Sequence, residues 1–221
     1  FCIMNTLAEE NYLKTILNIS FNTNKKVSTN EISSVLKTSP ASVTDMLKKL
    51  LEKKLVKYEK YKGVELSNSG KQYAINILRK HRLWETFLVE HLGFNWSEVH
   101  EIAEELEHIK STKLIDKLDT FLGYPKFDPH GDPIPNKEGV IPNVKSTSLD
   151  QMEVGFKGHV LGVTIDEKLF LDYLTNLNIK IGTKIEIIQK IDFDKSLIVN
   201  IENIENHISF DVAKNILIKN Y

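Results

Sequence analysis

Apolar residues recur at helical spacing over the first part of the chain and in alternating runs over the last, so two kinds of core are expected in one polypeptide. From Thr6, with Glu9 at the capping-box offset, Leu7, Tyr12, Leu13, Ile16, Leu17 and Ile19 trace one face of a first helix. Ser28 and Glu31 repeat that signature before a second helix carrying Ile32, Val35 and Leu36. Ser39-Pro40 opens a third, since serine caps a helix and proline fits its first turn; Val43, Met46, Leu47, Leu50 and Leu51 form its apolar side. Leu55 to Leu66 then alternates and bends at Gly63, as a two-stranded wing does. Ser67 to about His91 predicts one long helix stopped at Gly93, followed by helices from about Trp96 to Ile109 and after Ser111. Residues 123–148 are rich in Pro and Gly and lack periodicity. Past Gly155, the runs Gly158 to Val163, Lys184 to Ile191 and Leu197 to Ile201, with a short helix between Asp166 and Leu177, predict a small, mostly antiparallel barrel. The expected architecture is mainly α with a small β domain: a winged helix-turn-helix over 1–74, a helical domain over 75–142, a linker over 143–150 and a barrel over 151–221.

Composition changes this picture in one respect. The 221 residues hold 29 basic and 30 acidic side chains, near neutrality overall. Residues 1–74, however, contain 12 Lys against 7 Asp and Glu, a surplus of five positive charges that leaves the remainder six negative. A basic first third points to a local anionic partner. Between Lys37 and Lys62 there are eight lysines and three acids, and the third helix presents short polar groups at its start and lysines further on. Such a helix enters a DNA major groove with its N-terminal end, while wing lysines meet phosphates. Ser39, Pro40, Ala41, Ser42, Thr44, Asp45, Lys48 and Lys49, with Lys60 and Lys62 of the wing, are the expected DNA-binding residues. Apolar helical surface beyond what one layer covers predicts a homodimer, and hence a palindromic double-stranded operator. Cys2 is the sole cysteine, which forbids an intrachain disulfide and agrees with the cytoplasm. No apolar run approaches the ~20 residues of a membrane span, and Met4 reads as a natural start.

The candidate chemistry lies between His81 and His108. His81 and Glu85 are four apart, as are His100 and Glu104, and Glu107-His108 follow one turn later, so carboxylates and imidazoles share helix faces. Oxygen-rich sets with one nitrogen suit Mn²⁺ or Fe²⁺, whereas thiolates favour zinc. A solvated acidic face is the plain alternative for Glu101, Glu104, Glu105 and Glu107. Glu105-x-x-His108 also matches one element of a di-iron carboxylate enzyme, but the second copy that such a bundle needs is missing from the helical region. A winged-helix regulator answering to a non-metal signal is the other alternative.

Taken in order, Glu10-Asn11-Tyr12-Leu13-Lys14-Thr15-Ile16, Ser39-Pro40-Ala41-Ser42-Val43-Thr44, Lys57 to Gly63, Arg79 to Glu85, Glu98-Val99-His100 with Glu104 to His108, and Pro129-His130-Gly131 before Pro133-Ile134-Pro135 resemble the diphtheria-toxin-repressor family, nearest its manganese-responsive, three-domain members. The resemblance spans nearly the whole chain. It implies a metal-dependent repressor of metal-uptake genes, not an enzyme, with a Src-homology-3-like C-terminal barrel. A primary metal site is implied at Asn11, Glu104, Glu107 and His108, with Glu10 as a substitute for Asn11. A secondary site is implied from His81, Glu85 and His100 with Asp166 or Glu167, or instead from the loop of Asp128 and His130. Mn²⁺ is the expected corepressor, Fe²⁺ the next, and Zn²⁺ a non-native occupant. Relatives that respond to iron carry cysteine where Glu104 stands, and Lys14 occupies a position where some manganese-responsive members place an acid.

Overall fold

The computed structural model describes residues 6–23, 25–59, 62–143 and 145–218. The chain divides into two compact units, the first Phe1–His81, Glu105–Thr112 and Pro135–Val140, the second Arg82–Glu104, Lys113–Ile134 and Ile141–Tyr221.

In the first unit, α1 (Leu7–Thr23) starts where Thr6 and Glu9 cap each other: the Thr6 amide donates to Glu9 Oε2 at 2.8 Å and the Glu9 amide to Thr6 Oγ1 at 3.3 Å. The same reciprocal box, Ser28 with Glu31, opens α2 (Thr29–Val35), and Ser39 caps α3 (Pro40–Glu52). Leu13, Ile16, Leu17, Ile32, Val43, Leu47 and Leu50 are fully buried together. At roughly 1.5–3 kcal/mol for each large apolar side chain removed from water, this cluster is what holds three short helices together. The wing is β1 (Val56–Glu59) antiparallel to β2 (Gly63–Leu66), and Val27 adds a rung by exchanging both backbone hydrogen bonds with Val64. This is the winged helix-turn-helix that the sequence predicts. Lys60 falls outside the described residues.

α4 (Asn68–Leu92) is capped by Ser67 and ends at Gly93, whose φ of +73° lies in the left-handed region. α5 (Val99–Leu106) begins three residues later than the sequence predicts. Trp96 and Ser97 are drawn into other bonds: the indole Nε1 donates to Thr175 Oγ1 at 2.9 Å, and Ser97 Oγ donates to Asp172 Oδ1 at 2.6 Å. α6 (Thr112–Phe121) contributes Ile115 and Leu118 to a small cluster with Leu83 and Ile134.

The β domain of the second unit is one antiparallel sheet of six strands in the order β3-β8-β4-β5-β6-β7. These are β3 (Thr147–Ser148), β4 (Lys157–Val163), β5 (Lys184–Lys190), β6 (Leu197–Ile201), β7 (Ile204–Ile208) and β8 (Ile216–Ile218), with α7 (Lys168–Asn176) after β4 and α8 (Phe210–Ala213) before β8. β7 and β8 lie beyond the predicted strands. β7 is mostly polar and exposed, and β8 has only three residues, so neither gives a periodic signal. The β6–β7 hairpin turns on Glu202 and Asn203, both at positive φ as a two-residue turn of this kind requires. Among the described residues no helix is long and apolar enough to cross a membrane.

Gly131 adopts φ +88°, and a Cβ there would stand 2.2 Å from the Leu161 carbonyl oxygen on β4. Gly131→Ala is therefore expected to destabilise the second unit by about 2 kcal/mol or more. Urea denaturation checks this: an unchanged midpoint would mean that the loop relaxes without strain.

Candidate metal centres and DNA-reading face

In the first unit α1 carries a polar edge inside its apolar face. Glu9, Glu10 and Lys14 are all buried, and each has a partner. Glu9 Oε2 accepts from Lys53 Nζ at 2.8 Å; burial works against the charged form, but bonds from Lys53 and Thr6 hold its carboxyl below the ordinary glutamate value. Glu10 accepts from the Tyr73 hydroxyl through Oε1 and lies 2.6 Å from His108 Nδ1 through Oε2. Glu107, on the turn directly after α5, has no solvent exposure at all. Its Oε2 accepts from Lys14 Nζ at 2.7 Å and lies 2.7 Å from His81 Nδ1. Its Oε1 has no hydrogen-bond partner and lies 3.9 Å from His108 Nε2. Burial pushes Lys80 below the ordinary lysine value, opposed by the negative charge of Glu10 and Glu107.

A buried carboxylate oxygen without a donor carries a desolvation penalty. Ligands of small divalent ions sit at about 2.0–2.3 Å, so two that share an ion stand roughly 3–4 Å apart. The Glu107 Oε1–His108 Nε2 separation fits that range, and the donor chemistry is of the Mn²⁺ or Fe²⁺ type. Glu10 lies on the other ring nitrogen of His108, Nδ1, so it fixes the orientation of the imidazole and leaves Nε2 facing Glu107. Asn11, the neighbouring residue on α1, is half-buried.

In the second unit Glu85, Asp128 and His130, all buried, present donor atoms that lie within 4.8 Å of one another. The order in the sequence explains little of this arrangement. Asp128 Oδ1 accepts from the backbone amides of His130 at 2.8 Å and Asp132 at 3.0 Å, folding residues 128–132 into a tight turn. His130 Nε2 lies 2.8 Å from the Trp96 carbonyl, which can only accept, so Nε2 donates and Nδ1 is the nitrogen turned towards Glu85. That Nδ1 is 3.8 Å from Glu85 Oε1. Arg82 spans the rim, with Nε 3.5 Å from Asp128 and its two amino groups on Asp132 and the Pro133 carbonyl. Burial first, then the charges of Glu85 and Asp132, push the Asp128 carboxyl well above its ordinary value, against Arg82. His100 stands 3.5 Å from Glu85, Glu104 and Asp166, and is pushed up to about 10, mainly by Glu104 and Glu85.

The sequence-predicted residues thus separate as follows. Glu107, His108 and His81 come together with Glu10 and Lys14, while Glu85, Asp128 and His130 come together with His100, Glu104 and Asp166 nearby. Glu167 is exposed as the N-cap residue of α7, and Asp166 faces His100 in its place. Sequence reasoning missed Tyr73, Arg82, Asp132 and the Trp96 carbonyl. Arg82 had one available signal, its position three before Glu85 on the same helix face.

On α3, Ser39, Pro40, Ala41, Ser42, Asp45, Lys48 and Lys49 are exposed and Thr44 is half-buried; Lys62 of the wing is exposed too. Ser39 Oγ accepts from the Ser42 amide, and Lys48 pairs with Asp45 at 3.1 Å on the surface.

Three family models match successive parts of the chain: the N-terminal DNA binding domain of iron dependent repressors over 4–64, their metal binding and dimerisation domain over 67–136, and the FeoA domain over 147–220. An HTH-type transcriptional regulator of Methanocaldococcus jannaschii, itself uncharacterized, is 36% identical over 113 residues, 51% of this chain and 90% of the relative. The chain belongs to the iron-dependent repressor family. Within that family the HTH-type transcriptional regulator MntR of Oceanobacillus iheyensis is 32% identical over 125 residues, 57% of this chain and 84% of MntR. Among solved structures, a manganese-dependent transcriptional repressor in complex with manganese superposes with a TM-score of 0.85 at 31% identity, covering 96% of this chain and 100% of the other. ScaR with bound Zn²⁺ gives 0.75 at 32% identity, covering 96% and 99%. The family is one of transcriptional regulators, and its C-terminal domain is of the FeoA, Src-homology-3-like kind.

The two perturbed groups of the second unit act on stability in the same direction. Raised His100 and Asp128 mean that the folded chain holds protons which the unfolded chain releases. The contribution of His100 is fully present below about 6.5 and is lost as pH rises through about 10; that of Asp128 declines once pH exceeds its ordinary value of 3.8. The metal-free protein is expected to melt at lower temperature as pH is raised from 6.5 towards 10, and His100→Gln to flatten that slope. Thermal melts in chelator across this range check it; a slope untouched by the substitution would refute it.

Proposed function

We propose that this chain is a metal-dependent transcriptional repressor that binds a palindromic operator as a homodimer, with Mn²⁺ as corepressor and Fe²⁺ as the next candidate. One observation carries the reading. In the unit that contains the winged helix, a fully buried glutamate keeps one oxygen without a donor, at ligand spacing from an imidazole.

In this reading Glu107 Oε1 and His108 Nε2 hold the ion, Asn11 offers its amide oxygen from α1, and Glu10, bonded to the other ring nitrogen of His108, orients the imidazole. A bound divalent ion supplies two positive charges where the fold buries anionic oxygen. The residues then join α1 to the turn after α5, which restricts how the DNA-reading segment moves and favours the DNA-competent population. Linkage requires DNA to tighten ion binding by the same factor, and couplings of about 1–3 kcal/mol correspond to roughly five- to 150-fold. Glu85, Asp128 and His130 form the second candidate site, and two carboxylates with one imidazole and no thiolate are a donor set that suits Mn²⁺. Zn²⁺ enters as a non-native occupant.

Exposed Leu114, Phe121 and Tyr124 on and after α6, with Phe121 in edge contact with Phe87 of α4, supply the apolar surface we assign to the dimer contact. The exposed groups from Ser39 to Lys49 read the major groove, and Lys62 of the wing meets phosphates. No catalytic residue is assigned. Glu105 is exposed, so the Glu105-x-x-His108 element does not bring a carboxylate beside the imidazole as a di-metal enzyme needs. The absence of a membrane-crossing helix among the described residues agrees with a cytoplasmic protein.

Two substitutions test this. Glu107→Ala and His108→Ala are each expected to abolish Mn²⁺-dependent retardation of operator DNA while leaving a folded dimer by light scattering. A metal response equal to that of the parent in either variant would count decisively against the reading.

A further inference from the structure

The Glu107 carboxylate already has a cation. Lys14 Nζ lies 2.7 Å from Oε2, and the lysine side chain is 9% exposed against 0% for the glutamate. The attraction within such a pair is screened far less than in a surface bridge, removal of one partner alone is costly, and the ammonium is held in place by burial of the α1 edge that carries it. Lys80, whose Nζ donates to the Ile109 carbonyl at 3.4 Å, lies within electrostatic reach of Glu10 and Glu107. A divalent ion arriving at Oε1 therefore meets an ammonium on the other oxygen of one carboxylate. Like charges so placed in a low-dielectric interior repel strongly.

We propose that Lys14 is a built-in competitor for the cation at Glu107, whose ammonium must give up Oε2 for the ion to be held firmly, so that this residue sets the metal concentration at which the site fills. The proposal rests on the assignment of Glu107 as a metal ligand. It assigns a specificity role to a residue of the chain outside the ligand set: ion uptake becomes an exchange of an internal monovalent cation for an external divalent one. The same ammonium keeps α1 tied to the turn after α5 while no ion is bound, and it shields the buried carboxylate from water in that state. A small divalent ion with a high charge density displaces the lysine, whereas a monovalent ion offers no electrostatic advantage over it.

The test is a calorimetric Mn²⁺ titration of the metal-free full chain, reporting affinity and stoichiometry without DNA. Lys14→Met, which keeps the volume of the side chain and removes the charge, is expected to bind one Mn²⁺ about tenfold or more tightly than the parent. Lys14→Arg retains the charge and is expected to bind no more tightly than the parent. The metal-free Lys14→Met protein should also melt below the parent, because the buried Glu107 loses its ammonium and keeps only the His81 imidazole at Oε2, and should gain more on adding Mn²⁺. If it does not fold without metal, Lys14→Gln takes its place, since its amide still donates to Oε2 without a charge. A neutral variant that binds Mn²⁺ no more tightly than the parent overturns the proposal. Glu107→Gln separates that failure from failure of the site itself: if it leaves every Mn²⁺ event unchanged, Glu107 is not a ligand and the assignment beneath the proposal falls.

Discussion

Burying a carboxylate is permitted only where something neutralises it, and two such places organise this molecule. Glu107 is wholly removed from water in the first unit, and Asp128 with Glu85 in the second. The fold meets the requirement differently in each. At Glu107 the compensation is an ammonium, Lys14, together with the imidazole of His81. At Asp128 it is the backbone amides of His130 and Asp132 with Arg82 at 3.5 Å, and burial beside Glu85 still pushes the carboxyl well above its ordinary value. In the proposed reading the two centres therefore differ: an ion at Glu107 exchanges with an ammonium, whereas one at Asp128 enters beside Arg82 and a carboxyl whose charged form is disfavoured by burial.

The same requirement explains the make-up of α1. A helix packed at Leu13, Ile16 and Leu17 would gain by being apolar around the rest of its inward arc. It carries Glu9, Glu10 and Lys14 there, each committed to a partner distant in sequence: Lys53, His108 with Tyr73, and Glu107. Neutral residues of similar size would remove that constraint, and replacing buried ion pairs by apolar side chains is often neutral or stabilising. Retaining them gives the helix specific, breakable ties to the segment 105–112, the property that a switch element needs.

Much of the fold was legible because local rules and tertiary packing agree in the first unit. The two capping boxes, Ser39-Pro40 and the alternation through the wing place three helices and a hairpin within a residue or two. Legibility failed where one element is specified by another. α5 starts at Val99 because Trp96 and Ser97 bond to Thr175 and Asp172 of α7, information that lies some 75 residues away in the sequence. β8 is three residues held between β3 and β4, and no pattern announces so short a strand. At the candidate sites the residue types and their neighbourhood were readable, but the choice between adjacent residues was not. Glu10 beside Asn11, and Asp166 beside Glu167, differ by about 100° around a helix or by one step of a turn, and only packing decides which faces inward.

The β domain is best understood through Trp96. Its ring sits in the core with Leu171, Leu174 and Ile179, its Nε1 is fixed by Thr175, and its backbone carbonyl receives the Nε2 proton of His130. That single acceptor decides which imidazole nitrogen faces Glu85. The neighbouring backbone is held as firmly, for the Val163 amide donates to the His130 carbonyl at 3.0 Å, and Gly131 approaches β4 too closely to allow a side chain. A candidate ligand on a loop is ordinarily poorly positioned; this one is held in ring orientation by the carbonyl of a core tryptophan and in backbone by a strand. The β domain therefore has a physical reason to accompany the helix that carries Glu85, even though Glu85, Asp128 and His130 all lie outside its strands: it supplies the wall against which the turn of Asp128 and His130 is set.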